Sequence, residues 1–294
     1  MDKSLVWSSS KLATILDCPR AFKYRYIDHE PAPKDIRAAF GTAIHYFLEQ
    51  FYKKNYKSPE TFCNAWNFYW NLVCDDRDVN EIDQKLSKMY EKLRKRYGHI
   101  STWNEEKRRY IVSYYRRLGE NILKEFYNRH KGRKRPIAVE KRFKIDFDGF
   151  KLIGNIDRID EITDNGKYEN GLYITDYKTD KRCPEKDDLL LRKHHQLTFY
   201  NLAFKDIFGT EPKGIFIYHL RSMKIIPTKR TEEDVEYLLS SLRKAKRIID
   251  EKEFEPYFGF HCNLCEYLSI CQKREVVMDI AEMEESDELW GIDR

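Results

Sequence analysis

The chain has 294 residues, 41% of them hydrophobic and 35% charged, which suits one large or two modest globular domains and excludes a disordered or fibrous protein. No window approaches 18 uninterrupted apolar residues, and Met1 to Ser10 lacks the basic and apolar regions of a signal peptide, so a cytoplasmic protein outside any membrane is expected. The net charge of +5 identifies no partner, while seven cysteines in a reducing compartment argue for metal binding over a disulfide framework.

In chain order, Ser8-Ser9-Ser10 ahead of Leu12, Ile15 and Leu16 predicts a capped helix that stops near Pro19 and leaves Cys18 at its end. Ile44, Phe47, Leu48 and Phe51 recur at helical spacing over 40–51, with His45 and Glu49 together on a neighbouring face. A helix follows from about Pro59 to Val73. A long amphipathic one on Tyr110, Tyr114, Leu118, Ile122 and Phe126 then runs into the basic stretch Arg129 to Arg135 and is closed by Pro136. From Lys85 to Arg135 there are 17 Lys and Arg against 5 acids. With Tyr97, Trp103, Tyr110, Tyr114 and Tyr115 interleaved, this segment could track a polyanion and stack on bases, or be a solvated helix face over core aromatics.

Beyond Pro136 the period becomes alternating: Val139 to Phe147, a turn at Asp148-Gly149, and Phe150 to Ile162 form a hairpin. A turn at Asp164-Asn165-Gly166 leads to a third strand, Leu172 to Lys178. A helix from Leu189 to Phe208 and strands at Gly214 to Leu220 and Met223 to Thr228 come next. Thr231 with Asp234 caps a helix striped by Val235, Leu238, Leu239, Leu242, Ala245 and Ile249. Glu275 to Arg294 is an acidic tail with 8 acids and one Arg. A phosphate loop of the G-x-x-x-x-G-K-[ST] kind is absent, so the chain is not read as a motor.

Five acidic-x-Lys triplets occur, and only Asp176-Tyr177-Lys178 lies in an apolar strand, where residues two apart share a face. The strand Leu152 to Asp160 brings further carboxylates alongside. Acids and a lysine converging on a sheet are costly unless they bind a cation or one another. The pattern therefore fits either a salt-bridged strand end or a Mg²⁺ or Mn²⁺ site for phosphodiester cleavage, in which Asp176 and Asp157 hold the ion and Lys178 orients or helps deprotonate the attacking water. Cys262-x-x-Cys265-x-x-x-x-x-Cys271 has the spacing of three thiolates on a zinc ion or an iron-sulfur cluster, the fourth ligand coming from elsewhere.

These places together resemble the RecB-type branch of the PD-(D/E)-x-K nucleases. Gly154 to Asp160 is similar to the G-x-x-D-R-x-D motif, Asp176-Tyr177-Lys178-Thr179 to D-Y-K-T, Gly41 to His45 to G-x-x-x-H, and Gln196 to Tyr200 to Q-x-x-x-Y. The resemblance implies a catalytic set of Asp157, Asp176, Lys178 and His45. It implies metal ligands His45, Asp157, Asp176 and the Tyr177 carbonyl, with Glu140, Gln196 and Tyr200 in support or on DNA. Cys18-Pro19-Arg20-x-Phe22 resembles the first cluster cysteine of the AddB-type nuclease domains and of the RecB-like exonucleases of CRISPR adaptation. It implies a [4Fe-4S] cluster on Cys18, Cys262, Cys265 and Cys271, with His261 as an alternative ligand and Cys63, Cys74 and Cys183 outside it.

The expected fold is α/β, an α+β mixed sheet of restriction-endonuclease type with a helical insert and a cluster stapling the chain ends. Its parts are residues 1–51 (first helices), 52–135 (basic helical insert), 136–230 (nuclease core), 231–274 (last helix and three-cysteine segment) and 275–294 (acidic tail). The expected activity is that of a Mg²⁺- or Mn²⁺-dependent exonuclease on single-stranded DNA or DNA ends, in repair, recombination, replication or CRISPR-type processing beside a helicase or recombination partner. The other reading is a nucleic-acid-binding module with a four-cysteine zinc site serving a helicase.

Overall fold

A computed structural model describes residues 6–31, 36–74, 105–163, 166–185, 194–259, 261–262 and 265–271. The first half of the basic segment, Tyr97, Trp103, and the acidic tail lie outside them. A short strand, β1 (Val6–Trp7), leads into helix α1 (Ser9–Asp17), where the Ser8 Oγ accepts the Lys11 N–H at 3.1 Å. The helix ends at Cys18 as expected, but the chain coils again at once into α2 (Pro19–Tyr26). Proline suits a first helical position, whose N–H would have no partner.

Helices α3 (Ile36–Lys53), α4 (Pro59–Cys74) and α5 (Glu105–His130) follow. The last ends short of Pro136 because Gly132 takes a left-handed φ of 78° and turns the chain first. Strands β2 (Ala138–Phe147), β3 (Phe150–Ile162) and β4 (Gly171–Lys178) match the alternating segments closely. Helix α6 (His195–Phe208) begins later than the expected Leu189, and residues 189–193 lie outside the described ones. Strands β5 (Gly214–His219) and β6 (Lys224–Thr228) lead to α7 (Glu232–Asp250), which opens with the expected capping box of Thr231 and Asp234. Its buried side carries Ile248, with Ile249 only partly covered.

The sheet runs β1-β3-β4-β5-β6, and β2 lies along the other edge of β3. β1 and β3 are parallel, as are β4 and β5; the β2–β3, β3–β4 and β5–β6 pairs are antiparallel. One face packs on α1, α6 and α7 through Leu12, Ile156, Ile174, Phe204 and Leu242. The other meets α3, α4 and α5 through Phe40, Trp66, Trp70, Phe126, Tyr177 and Tyr218. The helices of the basic segment thus share a core with α3, which itself runs two residues past the expected boundary at 51. Among the described residues, no helix is long and apolar enough to cross a membrane.

Candidate active site and cysteine cavity

Strands β3 and β4 pair only from Arg158 opposite Thr175 to Ile162 opposite Gly171; beyond that, Asp176 to Lys178 pair with β5 alone. The split between the strands holds the carboxylates. Asp157 Oδ2 accepts the Tyr177 N–H at 2.9 Å and Oδ1 accepts the Tyr200 hydroxyl at 3.0 Å. From α3, His45 places Nδ1 3.5 Å from Asp157 Oδ2 and 3.9 Å from Glu140 Oε1, with Nε2 3.2 Å from the Tyr177 carbonyl. Ligand atoms of His45, Glu140 and Asp157 all lie within 4.8 Å of one another, the only such group of three among the described residues.

Asp176 is fully buried, and neither of its oxygens accepts a hydrogen bond. The Lys178 ammonium forms an ion pair with its Oδ2 at 2.9 Å. Burial pushes the Asp157 carboxyl above its ordinary range, with His45 opposing and Asp176 adding; burial and then Asp157 do the same to Glu140. Crowded, desolvated carboxylates with an orphaned acceptor suit a hard cation, which takes carboxylate and carbonyl oxygens readily. His45, Glu140 and Asp157 lie close enough together to hold one, with the Tyr177 carbonyl beside His45.

Burial works to discharge the Lys178 ammonium, but Asp176, with Asp157 and Asp180 adding, raises its pKa. Its Nζ donates to Gln196 Oε1 at 2.8 Å, and Gln196 Nε2 donates to the Tyr200 hydroxyl at 2.7 Å. That hydroxyl donates on to Asp157, so α6 ties the lysine to the carboxylate through two side chains one turn apart.

On the opposite face, the Tyr177 side chain joins the helical core. Its hydroxyl accepts from the buried Arg158 at 2.8 Å, and Arg158 also reaches Tyr52 at 2.9 Å and Asp160 at 2.8 Å. This role could not be read from the chain alone, since which neighbours flank a strand arginine is a tertiary matter. Two motif glycines have a steric cause. A Cβ on Gly154 would meet the Phe143 ring at 2.7 Å, and one on Gly41 would sit 3.3 Å from Thr179 Oγ1. Ser8, Ser9 and Ser10, read only as a cap, line the cleft that opens onto His45, Asp157, Gln196 and Tyr200.

Cys18, Cys262, Cys265 and Cys271 line one small cavity with His261. Burial pushes the Cys265 thiol up, a Tyr267 backbone hydrogen bond works against it, and the other three cysteines add to it. Cys63 and Cys74 are buried away from this cavity, and Cys183 is half-buried. Of the aromatics in the basic segment, Tyr115 is buried in the helical core and Tyr110 is exposed.

A family model described as the PD-(D/E)XK nuclease superfamily matches residues 6–272. No curated protein matches the chain. Among solved structures, one described as "Crystal structure of SSO0001" is 17% identical, covering 55% of this chain and 78% of that one at a TM-score of 0.33.

Proposed function

Because the chain belongs to the PD-(D/E)XK nuclease superfamily, we propose that it is a deoxyribonuclease whose Mg²⁺ or Mn²⁺ is held by His45, Asp157, Asp176 and the Tyr177 carbonyl, with Glu140 beside them. The observation that carries this reading is the buried Asp176 carboxylate, without a hydrogen bond, on the same strand face as Lys178. When bound, the cation lowers the pKa of a water and neutralises the scissile phosphate. Lys178, paired with Asp176, orients or helps deprotonate that water and offsets the charge developing on phosphorus. Gln196 fixes its direction, and Tyr200 locks Asp157.

Action on single-stranded DNA or DNA ends, in repair, recombination or CRISPR-type processing with a helicase-like partner, rests on the likeness to RecB-type nucleases. So does a [4Fe-4S] cluster on Cys18, Cys262, Cys265 and Cys271. One feature supports the cluster: the four cysteines line one cavity.

The test is incubation of anaerobically purified protein with end-labelled linear, duplex and circular DNA in Mg²⁺, Mn²⁺ or chelator. Cation-dependent loss of linear strands with circles spared is expected. Cleavage that persists in chelator would refute the metal site, and colourless protein with one zinc per chain would refute the cluster.

A further inference from the structure

The last turn of α3 and the residues that follow α5 enclose a second cavity, of about 240 Å³, whose lining carries Lys54, Lys131, Arg133 and Arg135. Its more buried wall is Tyr52 and His130. The Tyr52 hydroxyl accepts from Arg158 at 2.9 Å and lies 3.5 Å from His130 Nδ1, so a buried guanidinium stands directly behind the cavity. Asp160 partly offsets that guanidinium at 2.8 Å. No acid lines the cavity; the nearby Glu161 and Glu125 are engaged by Lys134 and Arg129. Lys131 Nζ donates to the Tyr56 carbonyl at 2.8 Å, while Lys54, Arg133 and Arg135 have no ion-pair partner among the described residues. The local field is strongly positive. His130 is held neutral, its pKa driven down to about 3 by burial first, then by Arg158, Arg133 and Arg129.

We propose that this cavity binds a backbone phosphate of the nucleic-acid strand whose scissile bond lies at the His45–Asp157 centre, and so sets the length of strand needed for tight binding. The proposal rests on the nuclease reading above. Both sites touch α3, and the chain that leaves the cavity at Arg135 enters β2, which carries Glu140. His45 and Lys53 are eight residues apart on α3, about 12 Å at 1.5 Å per residue. Arg135 and Glu140 are five residues apart in the chain, a reach of at most about 18 Å. A stacked strand rises about 3.4 Å per nucleotide, so the cavity meets a phosphate about four nucleotides from the scissile one.

The experiment uses the full chain with Ca²⁺ in place of Mn²⁺, and fluorescent oligothymidylates of about two and about eight nucleotides, chosen to fall short of and to exceed this span. The Arg133→Ala/Arg135→Ala variant changes only exposed side chains, and its melting curve checks its fold. For the longer oligomer, Kd should weaken about tenfold at low salt and the log–log salt slope should fall by about 0.7, the value for one lost phosphate contact on a single strand. For the shorter one, Kd should not change. No weakening with the longer oligomer, or equal weakening with both, overturns the proposal. A peptide with the sequence of residues 275–294 that outcompetes the longer oligomer, and loses that advantage in the variant, overturns it in favour of an acidic protein ligand. If wild-type protein binds but never cleaves, the nuclease reading fails, and the length-dependent binding difference still decides the cavity.

Discussion

Replacing Tyr200 by Phe keeps the buried ring and removes one hydroxyl, the atom that joins Gln196 to Asp157. Two hydrogen bonds are lost: one to a carboxylate, of about 1.5–3 kcal/mol, and one to a neutral amide, of about 0.5–1.5 kcal/mol. Because the cleft opens beside Tyr200, water can replace part of them, and the net cost in stability should be about 2 kcal/mol. The catalytic cost has a different origin. Outer partners of metal ligands are typically worth about 10–100-fold in metal affinity or activity, and here one hydroxyl steadies both Asp157 and, through Gln196, Lys178. Single-turnover cleavage of labelled single-stranded DNA across a Mn²⁺ titration should show kcat down by that factor and the Mn²⁺ midpoint raised, with KM for DNA little changed. Gln196→Ala frees only the lysine side, so it should lower kcat while leaving the Mn²⁺ midpoint in place. If Tyr200→Phe melts early but retains a wild-type rate and midpoint per folded molecule, the hydroxyl serves packing only and the positioning role is refuted.

Asp176→Ala should abolish cleavage and weaken Mn²⁺ binding in calorimetry, whereas Lys178→Ala should abolish cleavage with Mn²⁺ and DNA still bound; the double variant should be scarcely worse than either. Wild-type activity in Lys178→Ala, with contaminants excluded, would sink this division of labour. Cys265→Ala and Cys18→Ala should lower iron content and melting temperature together, since a shared site couples binding to folding. Cys74→Ala should keep its iron, measured by metal analysis, and lose stability only through the buried space it vacates in the helical core. Gly154→Ala should cost roughly 1–3 kcal/mol by pressing on the Phe143 ring, and Phe143→Leu in the same chain should recover part of that. A denaturation midpoint unchanged by Gly154→Ala would refute the steric account.

The strands were legible because alternation survives in them almost unbroken, and the helices because their apolar stripes do. What escaped was decided by single backbone states or by distant neighbours. β1, Val6–Trp7, is too short to show any period and exists only because β3 offers it an edge. α5 stops at Gly132 rather than at the more conspicuous Pro136, since a left-handed glycine acts before a proline four residues on. The motif residues His45, Asp157, Asp176 and Lys178 could be named from their order along the chain. Their geometry could not, because the strand split that seats them is a property of pairing, and Arg158 shows its role only once Tyr52 and Tyr177 are seen around it.

Glu140 shows how sheet irregularity and chemistry meet. Phe143 and Ile145 face the α1, α6 and α7 side, and so does Ala138, although residues five apart on a regular strand point to opposite faces. On β3, Ile156 and Ile159 likewise share that side at a spacing of three. The register is nevertheless continuous on both sides of the break: Val139 stands opposite Arg158, and Lys141 opposite Ile156. Both strands therefore reverse their alternation at one level, that of Glu140 and Asp157, which is the pair missing from the ladder. Glu140 takes a left-handed φ of 47° there, a conformation that costs a non-glycine residue about 1–3 kcal/mol. Without the reversal, Asp157 would follow Ile156 onto the far face, away from Tyr200 and the β4 edge. With it, Asp157 turns toward Asp176, Arg158 turns into the helical layer, and one strand supplies both a ligand to the cleft and a cation to the core behind it.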